Sequence, residues 1–379
     1  MNIRCLCMVL WMGGCTAPEM SRAFTQVDMT VTTADEADQT VADALDAATA
    51  SVHLAIPAGI DVRVPEAALR AWERGLEVEV VTDIDQADDP GIAALLQAGM
   101  AVTLADDELT YFDFNINQDV TYSSNSAKMT HAFAVVDRTT VWQLSGMGYG
   151  AGDSPVVQFK VTGEDLVEDM LTEHNQVYGG ADAVATTAYD GMAKSIADLR
   201  WRYPTQTDLD LEVWFSPQER AVKRVTDAIY GARGNVRIMT DDLSDEGIIR
   251  ALQAKAADGF KMQVVVGSGF TSISQSPQRL FEDATPGVGK RRASGIADLP
   301  TVVVVDDLPG IDGKRYTTRA FMISHDLYSA ARLYNDQPLT NDQLLDGAEF
   351  ILVDYDEPSP EIQTLVELWA NVFEQGVAL

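Results

Sequence analysis

The sequence predicts an α/β protein made of two similar halves, and three observations support this prediction. First, residues 43–54 resemble residues 227–238, which lie 184 positions further along the 379-residue chain. Second, the same offset places residues 74–81 over residues 258–265 without a gap. Third, each copy alternates helical and strand patterns. A register kept over this distance indicates an internal duplication.

Each copy shows the same elements in the same order. An amphipathic helix precedes a buried strand, and a second helix then ends at a glycine, Gly75 or Gly259, before another strand rich in β-branched residues. Glycine just past a helix and the switch from helical to strand periodicity are typical of such boundaries. Alternating helices and strands predict an α/β fold.

The two copies also end alike. Residues 166–180 and residues 362–376 both read as helices that close with glycine. Between the copies, residues 184–202 are predicted to form a linker helix. The predicted boundaries are 28–183 for the first half, 184–208 for the linker and 209–379 for the second half.

The composition restricts the partners that the protein can have. The chain carries 58 Asp and Glu against 27 Lys and Arg, which gives a formal net charge of −31, and 46 % of its residues are apolar. That apolar fraction is sufficient for a buried core and argues against a disordered acidic chain. An anionic surface repels DNA, RNA and acidic lipid headgroups, so general nucleic-acid binding is not expected. A monomer is expected.

Residues 1–14 read as an export signal. A short positive start precedes an apolar run at residues 5–12, and two glycines then precede Cys15. Eight apolar residues are too few to span a bilayer. The stretch at residues 10–15 resembles the lipobox of bacterial lipoproteins, which implies that Cys15 is acylated and becomes the first mature residue. The alternatives are an ordinary signal peptide and an unprocessed N-terminus.

The lipobox resemblance implies a membrane partner. The acyl chains on Cys15 would contact the membrane, and residues 15–27 would form a tether. Thr16 differs from the aspartate of the inner-membrane retention signal, which favours the outer membrane of a bacterial envelope. The three cysteines of the chain, Cys5, Cys7 and Cys15, all lie in this N-terminal segment, so no disulfide is expected in the folded body.

The duplicated unit resembles a known superfamily. Its second copy begins with the residues VWFSP at 213–217, its first copy ends with EHNQVYGG at 173–180, and a strand ending in aspartate is followed by Thr-Val-Trp. These features resemble the phospholipase D superfamily. The resemblance implies two α/β/α sandwich halves packed about a pseudo-twofold axis, each contributing an H-x-K-x₄-D-x₆-G-S-x-N motif to one interface cleft. One histidine would attack phosphorus, the other would protonate the leaving alcohol, and the lysines would neutralise the phosphate.

The first-half motif is degenerate. With the aspartate placed at Asp137, Thr130 stands at the histidine position and Ala132 at the lysine position, while Ser145 matches the motif serine. His131 is adjacent to the histidine position. Because neighbouring strand residues point to opposite faces, His131 is not expected to replace the motif histidine without a register slip.

The second-half motif is degenerate as well. The corresponding strand at residues 316–324 places Thr317 at the histidine position, Arg319 at the lysine position and Ser324 at the aspartate position, with Ser329 as a candidate motif serine. Threonine is a poor nucleophile without an adjacent base and does not act as an acid at neutral pH. Phosphodiesterase chemistry is therefore expected to be lost.

Three functional hypotheses remain. The leading one is a binding or structural module whose cleft binds a phosphate or another small anion through Arg319, Ser145, Thr130 and Thr317. An equally weighted alternative to anion binding is that Arg319 pairs with a carboxylate such as Asp137 and only stabilises the contact between the halves. The second hypothesis is a divergent phosphodiesterase or phospholipase that uses His131 with Asp137 and Arg319. The third is a scaffold for an envelope protein.

The remaining motifs predict neither a metal nor a cofactor. His53, His174 and His325 show no ligand spacing, and the glycine-rich residues 146–152 lead into a strand and not a helix. The role of one basic region is left open. The basic run Lys290, Arg291 and Arg292 lies in a predicted polar insertion at residues 267–299, where it would either cover the cleft or form a solvated loop.

Overall fold

The structure is a computed structural model, and it describes most of the chain from Phe24 onward. The described residues are 24–57, 61–105, 108–113, 118–123, 128–144, 152–178, 188–189, 192–194, 202–205, 209–216, 221–243, 245–268, 287–309, 316–324, 327, 333–334, 337–338, 345–355 and 359–379.

Four of the described helices begin at residues that supply side-chain caps. Thr33 and Glu36 form a capping box at the first helix, and Ser359 accepts a hydrogen bond from the Ile362 N–H at the last. Such caps satisfy the orphan N–H groups of a helix start. The described α-helices are α1 (Ala34–Ala47), α2 (Arg63–Glu73), α3 (Pro90–Gln97), α4 (Glu164–Tyr178), α5 (Ala221–Gly231), α6 (Glu246–Ala257) and α7 (Pro360–Gln375).

The strands belong to two large sheets and two small ones. The described strands are β1 (Gln26–Thr33), β2 (Ser51–Ile56), β3 (Glu77–Asp83), β4 (Val102–Ala105), β5 (Glu108–Asp113), β6 (Gln118–Ser123), β7 (Lys128–Met129), β8 (Phe133–Val136), β9 (Thr140–Leu144), β10 (Pro155–Thr162), β11 (Ala188–Tyr189), β12 (Met192–Lys194), β13 (Arg202–Pro204), β14 (Leu209–Ser216), β15 (Val236–Thr240), β16 (Met262–Val266), β17 (Val288–Arg292), β18 (Thr301–Pro309), β19 (Tyr316–Ile323), β20 (Leu333–Tyr334), β21 (Gln337–Pro338), β22 (Leu345–Asp354) and β23 (Val377–Ala378).

Each half is built on one mixed sheet. The first sheet has the order β1-β10-β9-β8-β2-β3-β4-β11, and the second has the order β13-β14-β22-β19-β18-β15-β16-β17-β23. The smaller sheets are β12-β5-β6 and β20-β21. β7, from the first half of the chain, pairs in parallel with β22 of the second sheet. The two halves therefore share a short strand pairing.

The predicted duplication is confirmed in the order of the elements. α1, β2, α2 and β3 recur as α5, β15, α6 and β16, and in both copies the two strands pair in parallel. Gly75 and Gly259 follow the second helix of each copy with φ values of 86° and 88°. This left-handed conformation is accessible to glycine without steric cost.

Three apolar clusters define the layers of the fold. The outer cluster of the first half packs α1, α2 and α3 on one face of the first sheet, and the outer cluster of the second half packs α5 and α6 on the second sheet. The central cluster contains α4, α7 and the inner faces of both sheets. There Phe159 of β10 stacks on Phe350 of β22 with ring centroids 5.6 Å apart. The predicted α/β fold of two facing halves is confirmed.

Two local predictions were wrong. The described residues of the linker form the short strands β11, β12 and β13 and not a helix, because each of them pairs with another strand. The basic run is also not a loop. Lys290, Arg291 and Arg292 belong to β17, which pairs with β16 and β23, and all three residues are half-buried. Arg291 donates a hydrogen bond to the Gly376 carbonyl at 3.2 Å.

Within the described ranges, no helix combines the length and the apolarity that crossing a bilayer requires.

Candidate functional site

The inner face of the first sheet carries a cluster of polar side chains beneath α4. In β2, Val52 and Leu54 belong to the outer cluster of the first half, so His53 between them points inward. In β3, Val78 and Val80 likewise face outward, so Glu79 points inward. His53 and Glu79 are register partners of the parallel β2–β3 pair. The strand periodicity therefore places both side chains against α4.

α4 adds His174 to this pair. The His53 Nδ1 atom lies 3.0 Å from the Glu79 Oε2 atom, and the His174 Nδ1 atom lies 3.8 Å from the same oxygen. The two imidazole rings meet edge to face with centroids 5.4 Å apart. Both histidines are buried, whereas the Glu79 side chain is 26 % exposed. The three residues, named the His53 cluster below, thus connect to solvent through a carboxylate.

Burial and hydrogen bonding shift the pKa values of His174, Glu79 and the neighbouring Tyr178. Burial, with the nearby His53 adding to its effect, lowers the pKa of His174 to about 3, so this imidazole is neutral at neutral pH. The hydrogen bond from His53 lowers the pKa of Glu79 against the opposing effect of burial. Burial and the Glu79 charge raise the pKa of Tyr178, whose ring stacks on His174, to about 12.

A second polar pair lies beside the His53 cluster. The His131 Nε2 atom is 3.0 Å from the Glu173 Oε1 atom, and both side chains are fully buried. Gln176 donates to the other oxygen of Glu173 at 3.1 Å. The His131 ring lies 5.5 Å from that of Phe133 and 6.1 Å from that of Phe215, which belongs to the second half. His131 is therefore directed into the contact between the halves.

Comparisons with known structures identify the architecture. Phosphatidylserine synthase from Haemophilus influenzae Rd KW20 matches 93 % of this chain over 87 % of its own, with a TM-score of 0.59 and 13 % identity. Polyphosphate kinase from Porphyromonas gingivalis matches 91 % of this chain with a TM-score of 0.55 and 10 % identity. Both proteins belong to the phospholipase D superfamily.

The chain has the phospholipase D fold. This chain spans 46 % of the length of the kinase and most of the synthase. No protein-family model matches the sequence, and no curated protein sequence matches it significantly. At identities of 10 % to 13 % the likeness establishes the fold and not an activity.

Within the phospholipase D fold, Asp137 lies at the turn that follows β8. Its carboxylate accepts hydrogen bonds from the backbone N–H groups of Thr49, Ala50 and Ser51 at 2.7 to 3.1 Å. Burial acts to raise the pKa of Asp137, but these hydrogen bonds together hold it below its ordinary value. Asp137 therefore stabilises the turn before β2 through hydrogen bonds. It is not the ion-pair partner of Arg319 that one hypothesis expected.

The lysine positions of both motifs face away from the contact between the halves. Ala132 packs in the outer cluster of the first half. Arg319 lies between Val305 and Val353, its register partners on β18 and β22, and both belong to the outer cluster of the second half. Because side chains on paired strands share a face, Arg319 does not lie on the face that carries His131. Arg319 and His131 are therefore not neighbours among the described residues.

The other predicted site residues have these locations. Thr130 and Thr317 are buried, each 2 % exposed, and Ser324 is buried at the end of β19. Ser145, Ser329, His325 and Cys15 lie outside the described residues, and anion binding by Ser145, Thr130, Thr317 and Arg319 stays a prediction.

Two grooves of the described surface lie away from these residues. One groove of about 330 Å³ runs along the start of β1 and includes Thr205 and Glu361. A shallower one of about 620 Å³ lies between β1 and α1, where Trp142 and Lys160 contribute to its wall. Neither contains a motif residue or a histidine. We therefore place the candidate site at the buried polar cluster, which has the chemistry that these grooves lack.

Sequence reasoning missed the His53 cluster because its members come from three separate elements. His53, Glu79 and His174 are too far apart in the chain for any ligand-spacing rule to relate them. The duplication contains a usable signal. At the 184-residue offset, Arg237 corresponds to His53 and Gln263 to Glu79. An ordinary core position would be apolar in both halves, whereas these two positions are polar in both and carry different residues.

Proposed function

We propose that this protein is a binding module with the phospholipase D fold that has lost phosphodiesterase chemistry and is held at a bacterial envelope by a lipid. The observation that supports this most is the buried Glu173 carboxylate against His131. In the family resemblance, cations accompany the motif histidine and receive a phosphate. Here the polar groups described on the inner face of the first half include two carboxylates, Glu79 and Glu173, which repel an anion.

The chemistry of phosphodiester cleavage supports the same conclusion. In-line displacement needs a nucleophile, an acid on the opposite side of phosphorus and cations beside the developing charge. His131 has an orienting carboxylate, but its aromatic neighbour from the second half is Phe215. The motif histidine positions hold Thr130 and Thr317. A fully buried histidine that is already paired with Glu173 is suited to structure or binding.

The loss of phosphodiesterase chemistry is tested by assaying the purified full chain. We expect no turnover of bis-p-nitrophenyl phosphate or of phospholipid vesicles above the uncatalysed rate, because removal of a catalytic nucleophile alone costs on the order of 10⁶-fold in rate. The controls are His131→Ala and Thr317→Ala. Turnover that either substitution abolishes would overturn the proposal, whereas turnover that both variants retain identifies a contaminating enzyme.

One observation favours a second candidate function. The 3.0 Å contact between His131 and Glu173 resembles the paired base and orienting carboxylate of nucleophilic enzymes. A divergent phosphodiesterase would use this pair, since Asp137 and Arg319 lie elsewhere. Loss of activity in His131→Ala, with activity kept in Thr317→Ala, would establish it.

A scaffolding role has no comparable support. The exposed large apolar side chains of the described surface are Phe24, Val62, Trp72, Tyr230, Val377 and Leu379. Trp72 lies on α2 and Tyr230 on α5, in different halves. Exposed apolar residues of this kind are ordinary on protein surfaces, and by themselves they do not indicate a docking patch.

The lipid anchor is tested in a bacterial host by labelling with a radioactive fatty acid. We expect the wild-type chain to be labelled and to sediment with membranes, and Cys15→Ser to lose both properties, because the thiol of Cys15 is the acceptor in the lipobox hypothesis. Cys7→Ser is the matched control, since it changes a cysteine that signal removal would discard. Label retained in Cys15→Ser, or lost equally in Cys7→Ser, would contradict the anchor.

A further inference from the structure

We propose that His53, Glu79 and His174 bind a divalent transition-metal ion. Their ligand atoms, two imidazole nitrogens and a carboxylate oxygen, all lie within 4.8 Å of one another. These residues show no ligand spacing in the sequence, because β2, β3 and α4 come together only in the folded chain. The inference does not depend on whether the protein cleaves phosphodiesters.

The distances fit a metal centre. Zinc bonds of 2.0 to 2.2 Å in tetrahedral geometry separate neighbouring ligand atoms by about 3.4 Å. The two measured separations from the Glu79 oxygen, 3.0 Å to His53 and 3.8 Å to His174, lie on either side of that value. Only small side-chain shifts are therefore needed to receive an ion between the three residues.

The ligand set indicates the class of metal. Two histidines and one carboxylate bind zinc in several hydrolases, and the same set binds iron(II) in oxygenases. Calcium takes six to eight oxygen ligands, and magnesium prefers oxygens with several waters. Two imidazole nitrogens therefore favour a first-row transition metal over either of these ions.

The state of His174 gives independent support. Its ring is fully buried, and both of its nitrogens fall short of hydrogen-bond geometry with any described group. The Leu54 backbone is near enough to favour the protonated ring slightly, but that contact does not amount to a hydrogen bond. Buried polar atoms nearly always have a partner. A metal ion would supply one, and the partly exposed Glu79 gives it a path from solvent.

The duplication supplies an internal comparison. The positions that correspond to His53 and Glu79 are Arg237 and Gln263 in the second half. Arg237 instead pairs with Asp306 at 2.8 Å. In the second half, the Arg237 side chain thus supplies the positive charge at the position that corresponds to His53. We therefore expect a metal ion only in the first half, which is one ion per chain.

The experiment uses the full chain without a histidine tag. Cys5, Cys7 and Cys15 are replaced by serine so that thiolates do not bind the metal. The metal-free protein is titrated with Co²⁺, whose visible absorption reports nitrogen ligands in a tetrahedral site, and then with Zn²⁺. We expect one equivalent of Co²⁺ to give the tetrahedral spectrum and one equivalent of Zn²⁺ to abolish it, with excess Ca²⁺ occupying the acidic surface throughout.

The matched variants are Glu79→Gln and Glu77→Gln, which change two glutamates of β3 in the same way. Glu77 is exposed and pairs with Arg138. We expect Glu79→Gln to weaken Zn²⁺ binding by at least about 100-fold, since even the loss of an outer-shell partner costs 10- to 100-fold. Glu77→Gln should bind as the parent does.

Three results would overturn the proposal: no stoichiometric Co²⁺ spectrum in the parent, displacement of Co²⁺ by Ca²⁺, or equal weakening in both glutamate variants. Circular dichroism establishes that each variant is folded. If Glu79→Gln does not fold, His53→Gln replaces it. We expect His53→Gln to weaken Zn²⁺ binding by the same factor, and weakening no greater than that in Glu77→Gln would again overturn the proposal.

Discussion

Replacing Phe159 with alanine is expected to lower the free energy of unfolding by about 3–5 kcal/mol, the usual cost of truncating a buried phenylalanine. Phe159 is fully buried in the central cluster and stacks on Phe350 of the other half. The substitution removes the ring from water-excluded packing and leaves a cavity between the sheets. Urea denaturation of the purified chain measures the change.

The control for this substitution is Phe24→Ala, because Phe24 is 56 % exposed. That change should stay within about 0.5 kcal/mol. The double variant with Phe350→Ala should lose less than the sum of the two single losses, since residues in contact are coupled. Additive losses would show that the two rings do not form the stack that joins the halves.

The second large effect is expected at Glu173. This carboxylate is fully buried and accepts hydrogen bonds from His131 and Gln176. Glu173→Ala leaves buried donors without an acceptor, and breaking a buried pair of this kind costs about 3–5 kcal/mol. Glu173→Gln keeps one acceptor oxygen and should cost less. Chemical denaturation at neutral pH gives both values.

Glu168→Ala is the matched control, because Glu168 is an exposed glutamate of the same helix. It should change stability by no more than about 0.5 kcal/mol. An equal loss in Glu173→Ala and Glu168→Ala would mean that the buried pair does not form. A loss in Glu173→Gln as large as that in Glu173→Ala would show that the negative charge, and not the hydrogen bond, is what the site needs.

The fold could be predicted because its signals are local and occur twice. Gly75 and Gly259 mark the same helix end in each copy, and the strands that follow have the same pattern. The linker was mispredicted for the opposite reason. Residues 188–189 and 192–194 form short strands only because β4 and β5 are there to pair with them. Strand formation depends on such tertiary context more than on propensity.

The candidate site could not be predicted, because its strands are buried on both faces. Around His131 the residues of both faces are apolar or small, so the pattern does not reveal which side meets the other half. The outer packing of Ala132 and the contact of His131 with Phe215 supply that information. The His53 cluster depends further on α4, which lies about 95 to 120 residues away in the chain.

The strand shared between the halves has a consequence for their origin. β7 comes from the first half of the chain but pairs with the start of β22 in the second sheet, at Leu345 and Asp346. α7, from the end of the second half, packs against β1 of the first. An ancestral single copy could have obtained these partners only from another molecule. Because both copies lie in one chain, each half has these partners at any protein concentration, and corresponding positions such as His53 and Arg237 carry different side chains.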